Sequence, residues 1–233
     1  MARALYIVGA GGFARETAQL LATCAPALGR SLRLLGFLDD DPELAGLTVD
    51  GVSVLGPSTA VYDAPHTSVV LCVGSPRNPL ARMRLAERLD LPPQRYATLV
   101  HPSVSVSVDS VLGPGTVLLA QTVLTAGVRV GAHVSMMPRV VLTHDDVVED
   151  FATLASGVVL GGGVQVGRGA YIGAGAMVRE QVAIGAGSIV GMGSVVLRDV
   201  PPGEVWAGNP ARRLRVLDDA APPPALVVGT REG

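Results

Sequence analysis

Val158-Val159-Leu160-Gly161-Gly162-Gly163-Val164-Gln165-Val166-Gly167-Arg168-Gly169-Ala170-Tyr171-Ile172-Gly173 carries an aliphatic residue at every sixth place, Leu160, Val166 and Ile172. Followed in both directions the series runs Val100, Val106, Leu112, Leu118, Leu124, Val130, Met136, Leu142, Val148, Leu154, Leu160, Val166, Ile172, Val178, Ile184, Val190 and Val196. All seventeen are aliphatic or Met. If such residues fill roughly two fifths of the stretch, chance gives this register with a probability on the order of 10⁻⁷, so a repeat is the first reading. Four places after each of these positions the residue is again small or aliphatic, and only Asp146 breaks the rule.

A period of six matches neither an α-helix, at about 3.6 residues per turn, nor a two-faced strand. It places one large and one small residue inward on each straight side of a coil, which is a hexapeptide parallel β-helix. Three sides close one coil of a triangular prism, and each coil buries its apolar row only by stacking on its neighbours. Glycine follows the large residue at Gly113, Gly131, Gly161, Gly167, Gly173, Gly185 and Gly191. There a corner is expected, with a left-handed backbone or no room for a side chain. A Gly/Val-rich sandwich would need turn signals every 8–12 residues, as in other all-β folds, and none breaks the register.

Upstream, Ala4–Val8 is a short apolar run ending in Gly9-Ala10-Gly11-Gly12-Phe13-Ala14, and residues of helical composition follow from Thr17. A strand, a glycine turn and a helix bring backbone N–H groups toward an anion, and a phosphate is the natural ligand. A second run, Ser31–Leu38, ends in Asp39-Asp40-Asp41, carboxylates placed to meet sugar hydroxyls. A third, Ser68–Val73, ends in Gly74-Ser75, and Pro79–Leu89 reads as an amphipathic helix with Arg82, Arg84 and Arg88 toward solvent. The pattern predicts a small Rossmann-like α/β domain over 1–98, a β-helix over 99–215 and a flexible tail over 216–233. Gly9, Gly11 and Ala14 fit a dinucleotide fingerprint, so an NAD-dependent oxidoreductase is a rival. It lacks a second domain to carry hydride chemistry, and the glycines alone also fit a plain tight turn.

The chain has 233 residues, 48% hydrophobic and 3% aromatic, so its core is aliphatic. A net charge of -2 offers no general attraction to nucleic acid or an anionic membrane. Cys24 and Cys72 form no metal-spaced motif, and two cysteines in apolar segments point to a reduced cytoplasmic setting.

The polar break in the repeat is Leu142-Thr143-His144-Asp145-Asp146. His144 is expected to project from a coil edge, where an imidazole serves as general base and Asp145 holds its tautomer; an exposed surface histidine fits equally well. Asp146 is expected inside, needing a hydrogen-bond partner or a proton. His133, outward without an acidic neighbour, and His66 are expected to be solvated.

Ile7-Val8-Gly9-Ala10-Gly11-Gly12, Gly36-Phe37-Leu38-Asp39-Asp40-Asp41, Val73-Gly74-Ser75 and Leu99-Val100-His101-Pro102-Ser103, together with the hexads, resemble the NeuD/PglD family of sugar acyltransferases. The resemblance implies a left-handed β-helix, a homotrimer with sites between neighbouring helices, and acetyl-CoA as co-substrate without a metal. It implies transfer to the amine of a nucleotide-linked amino sugar of the 4-amino type, with a hydroxyl of a sialic-acid-like sugar as the alternative acceptor. By it, His144 is the general base beside Asp145, and His101 is a connector at the domain joint. Gly11, Gly12, Phe13, Asp39, Asp40, Gly74 and Ser75 meet the sugar nucleotide. Thr153, Gly162, Ala174, Gly191, Arg212 and Arg213 meet acetyl-CoA. Phe13 and Thr153 stand where many relatives carry histidine. A hexapeptide protein that only binds a ligand or scaffolds an assembly is the reading from a different class.

Overall fold

A computed structural model describes residues 3–24 and 32–217, so the expected tail from 218 onward lies outside the described residues. The N-terminal region contains β1 (Arg3–Val8), α1 (Gly12–Cys24), β2 (Leu32–Leu38), a hairpin of β3 (Thr48–Val49) and β4 (Val52–Ser53), β5 (Ser68–Leu71) and α2 (Ala81–Leu89). β1, β2 and β5 form one parallel sheet in the order β2-β1-β5. Its strands read as unbroken apolar runs because both faces are covered, and Leu5, Ile7, Phe37 and Val70 are fully buried. α1 starts at Gly12, inside the glycine turn rather than at Thr17, because the left-handed step is already taken at Gly9, with φ of 109°.

From Leu99 to Val196 the chain forms seventeen two-residue rungs, one per hexad. Each pairs in parallel with a rung eighteen residues away, before or after it, as in Leu124 with Leu142 and Leu154 with Ile172. The second residue of each rung points into the prism, where Leu118, Met136, Leu142, Leu154, Leu160 and Ile172 are fully buried. Three faces result. The first carries the rungs that start at Leu99, Val117, Ser135, Thr153, Tyr171 and Ile189; the second, those at Ser105, Val123, Val141, Val159, Met177 and Val195; the third, those at Val111, Arg129, Val147, Gln165 and Ala183. A closing hairpin, Glu204–Gly208 with Ala211–Val216, extends the first face and covers its edge.

The corners differ in one respect from the sequence expectation. Left-handed backbone falls two residues later than expected, recurring at Gly115, Gly127, Gly157, Gly163 and Gly169, and at Gln121, His133, Arg139, Asp145 and Phe151. The glycine after the large residue serves close approach instead: a Cβ on Gly161 would lie 2.6 Å from the backbone nitrogen of Glu180 in the next coil.

Two further expectations are corrected. Arg82 does not face solvent; it is 2% exposed and enters the joint between α2 and the β-helix, whereas Arg84 is exposed and Arg88 pairs with Asp40. His133 is likewise buried, edge-on to Tyr96 with ring centroids 4.4 Å apart and stacked on Phe151 at 4.9 Å. The amphipathic pattern of α2 and the corner position of His133 are both outward within their own elements. What they face is the other half of the molecule. His66 is exposed. His101 bonds within its own turn, its Nδ1 accepting the N–H of Ser103 at 3.1 Å.

Candidate active site

The corner between the second and third faces holds Thr143, His144 and Asp145. Asp145 adopts φ of 62°, a conformation costing about 1–2 kcal/mol for an L residue. This turns its carboxylate onto the neighbouring ring, and His144 Nδ1 lies 3.0 Å from Asp145 Oδ2. The bond puts the ring proton on Nδ1 and leaves the Nε2 lone pair free. The His144 side chain is 68% exposed, so it projects from the coil edge as its hexad position predicts.

One coil on, Gly162 lies directly beneath the imidazole, and a Cβ there would come within 2.3 Å of Nε2. Gly163 donates to the His144 carbonyl at 2.8 Å, which keeps the two corners in register. Among the described residues the N–H of Gly162 donates to no acceptor in the chain. The corner is therefore a bare backbone edge under a free imidazole nitrogen, a surface that admits a narrow, amide-bearing arm such as pantetheine.

Asp146 is buried inside the prism as its position predicts. Its Oδ2 accepts from Thr143 N and its Oδ1 from Val164 N, both at 2.8 Å. Burial pushes its carboxyl up to about 6 against the pull of these bonds and of His144, so it stays ionised at neutral pH.

The expected sugar-nucleotide residues gather at the carboxyl ends of β1, β2 and β5. Gly11 and Gly12 are exposed where α1 starts, and Phe13 is partly buried behind them. Asp39 fastens the glycine turn, its Oδ2 accepting from Ala10 N at 2.8 Å. Asp40 accepts from Ser58 N at 2.9 Å and pairs with Arg88. Gly74 takes φ of 128° and, with Ser75, leaves the strand end exposed.

The expected coenzyme residues do not gather at one point. Gly162 is at the His144 corner, while Ala174 and Gly191 lie at the far edge of the second face and Thr153 is on the first. Arg212 and Arg213 are exposed on the closing hairpin, Arg213 near Glu204 at 3.3 Å. The cluster of Arg82, Tyr96, His133 and Phe151 is absent from the sequence reading. The legible signal was a bulky residue at two corner positions eighteen apart, where Gly115 and Gly169 stand above and below.

Comparisons with known proteins agree with this architecture. The family model described as PglD N-terminal domain matches residues 4–89, and that of the bacterial transferase hexapeptide (six repeats) matches 163–198. UDP-N-acetylbacillosamine N-acetyltransferase of Bacillus subtilis (strain 168) is 37% identical over 120 residues, 49% of this chain and 50% of its own length, so that match spans half of the curated relative. The acetyltransferase domain of PglB from Neisseria gonorrhoeae FA1090, solved with acetyl coenzyme A, is 30% identical with a TM-score of 0.80, covering 92% of this chain and 100% of that one. PerB from Caulobacter crescentus, solved with CoA and GDP-perosamine, is 29% identical with a TM-score of 0.78, covering 90% of this chain and 96% of that one. With a glycine-turn α/β region, a left-handed β-helix and solved relatives matched over nearly their whole length, the chain belongs to the NeuD/PglD family of hexapeptide-repeat, acetyl-CoA-dependent acetyltransferases.

Proposed function

We propose that the protein is an N-acetyltransferase that moves the acetyl group of acetyl-CoA to the amine of a nucleotide-linked 4-amino sugar, working as a homotrimer in the cytoplasm. The observation that carries this reading is the His144–Asp145 pair standing over the bare Gly162 edge. Acetyl-CoA supplies a thioester whose carbonyl carbon is the electrophile. As the amine nitrogen bonds the thioester carbonyl carbon, His144 Nε2 takes its proton, Asp145 stabilises the imidazolium and the uncommitted N–H of Gly162 is the donor for the oxyanion. Collapse of the tetrahedral intermediate breaks the C–S bond, and the imidazolium returns the proton to the departing coenzyme A thiolate. Cys72 is no acyl carrier: burial pushes its thiol up to about 12. Relatives whose names or ligands include N-acetylbacillosamine and GDP-perosamine support an amino-sugar nucleotide as acceptor.

Two features support a site between copies. The N-terminal region packs on the first face, whereas His144 stands at the opposite corner. Of the expected coenzyme residues, Gly162 lies at one edge of the second face and Ala174 and Gly191 at the other. That face presents Val123, Val141, Val159, Met177 and Val195 outward, an apolar column with Met177 56% exposed, suited to a neighbouring prism.

The test is thiol release from acetyl-CoA with a panel of nucleotide 4-amino sugars and free nonulosonic acids. His144→Ala is expected to lower kcat by about 10²–10⁴-fold, the usual contribution of a general base. Turnover unchanged in that variant ends the assignment, and transfer only to the nonulosonic acids makes the acceptor a hydroxyl.

A further inference from the structure

The joint between the N-terminal region and the β-helix contains a cation that has no counter-ion among the described residues. Arg82, in the first turn of α2, sends its guanidinium into the first face. Nε donates to the His133 carbonyl at 2.8 Å, and Nη1 to the Val73 carbonyl at 3.2 Å. Nη2 donates to the carbonyls of Phe151 and Ala152, at 3.0 and 3.2 Å, and to Thr153 Oγ1 at 2.8 Å. Among the described residues no carboxylate is its partner, and burial pulls its ionisation down to about 10, which leaves it charged at neutral pH. His133 and Phe151 are eighteen residues apart, so one side chain ties two successive coils to the chain just before Gly74-Ser75.

Such an arrangement is a poor way to gain stability. Burying an ion without an opposite charge costs several kcal/mol, which carbonyl dipoles only partly offset. The joint already has an apolar contact in Ala97, Leu99, Val117 and Leu119, with Met137 beside them. Apolar contact is non-directional and permits sliding, whereas a planar fork with five directed bonds admits one orientation. Around it, Leu80 presses over Gly169, where a Cβ would meet it at 2.6 Å.

We propose that Arg82 is a positioning residue for acetyl transfer: it fixes the Gly74–Ser75 loop on the β-helix, so that an acceptor held there keeps a constant geometry relative to the acyl-transfer edge. The inference rests on the proposed function and assigns Arg82 a role in turnover, with none in ligand affinity.

Steady-state kinetics on the intact protein test it, with wild type, Arg82→Gln, Arg82→Lys and Arg82→Ala assayed below their melting transitions. Misplacement of about an ångström can cost up to 10²-fold, so kcat is expected to fall by about 10–100-fold in all three, with both KM values within about twofold. Guanidinium ion added at millimolar concentration is expected to recover part of the turnover of Arg82→Ala. Arg82→Lys keeps the charge and loses the fork, so its low kcat separates geometry from charge and serves if the other variants do not fold. Full turnover in a folded variant, or a raised acceptor KM at unchanged kcat, overturns the proposal while wild type remains active. Wild type inactive on every acceptor overturns the proposed function, and this inference with it.

Discussion

His144 and Gly162 act as one unit, since the ring position depends on the missing side chain eighteen residues away. In Gly162→Ala a Cβ placed 2.3 Å from Nε2 must push the imidazole off the edge, because the backbone below is held by Gly163 and Gln181. The expected outcome is a loss of kcat approaching that of His144→Ala with little change in melting temperature. Kinetics and a thermal melt on one preparation check it. His144 drew attention in the sequence through its neighbour Asp146, the one residue that breaks the inward rule, and its expected role as base came from the family resemblance. Arg82 and His133 were not, since their positions are outward within their own elements and only docking buries them.

At the scale of a coil, Asp146 joins the His144 corner to the next one through its bonds to Thr143 N and Val164 N. Its native carboxyl titrates near 6, above the ordinary 3.8, so the folded state binds the proton more tightly. Stability from this group is full below about pH 4 and is lost as pH rises through 6. A shift of about two units corresponds to about 3 kcal/mol across that window. Denaturant melts of wild type and Asp146→Asn are expected to diverge by this amount in total between pH 4 and 7, wild type falling as pH rises. Parallel curves would show that Asp146 does not titrate there. The sequence predicted an inward carboxylate needing a partner; which N–H groups supply it depends on how two coils stack.

For the whole molecule, the apolar column on the second face and the separation of His144 from the N-terminal region belong to one proposal. Met177→Glu combined with Val159→Glu places charges in the middle of that column, and the variant is expected to run as a folded monomer in light scattering and to lose acetyl transfer. An active monomer would place the whole site within one chain. The sequence by itself determined the prism, because a strict six-residue alternation of large and small residues buries its apolar row in a stacked coil, and it marked 142–146, with Asp146 inward, as the polar break. Only the tertiary structure decided where the N-terminal region sits, that Arg82 and His133 are interior, and that the corner glycines serve close approach. Those are contacts between residues far apart in the chain, set by how two finished surfaces meet, and no local periodicity encodes them.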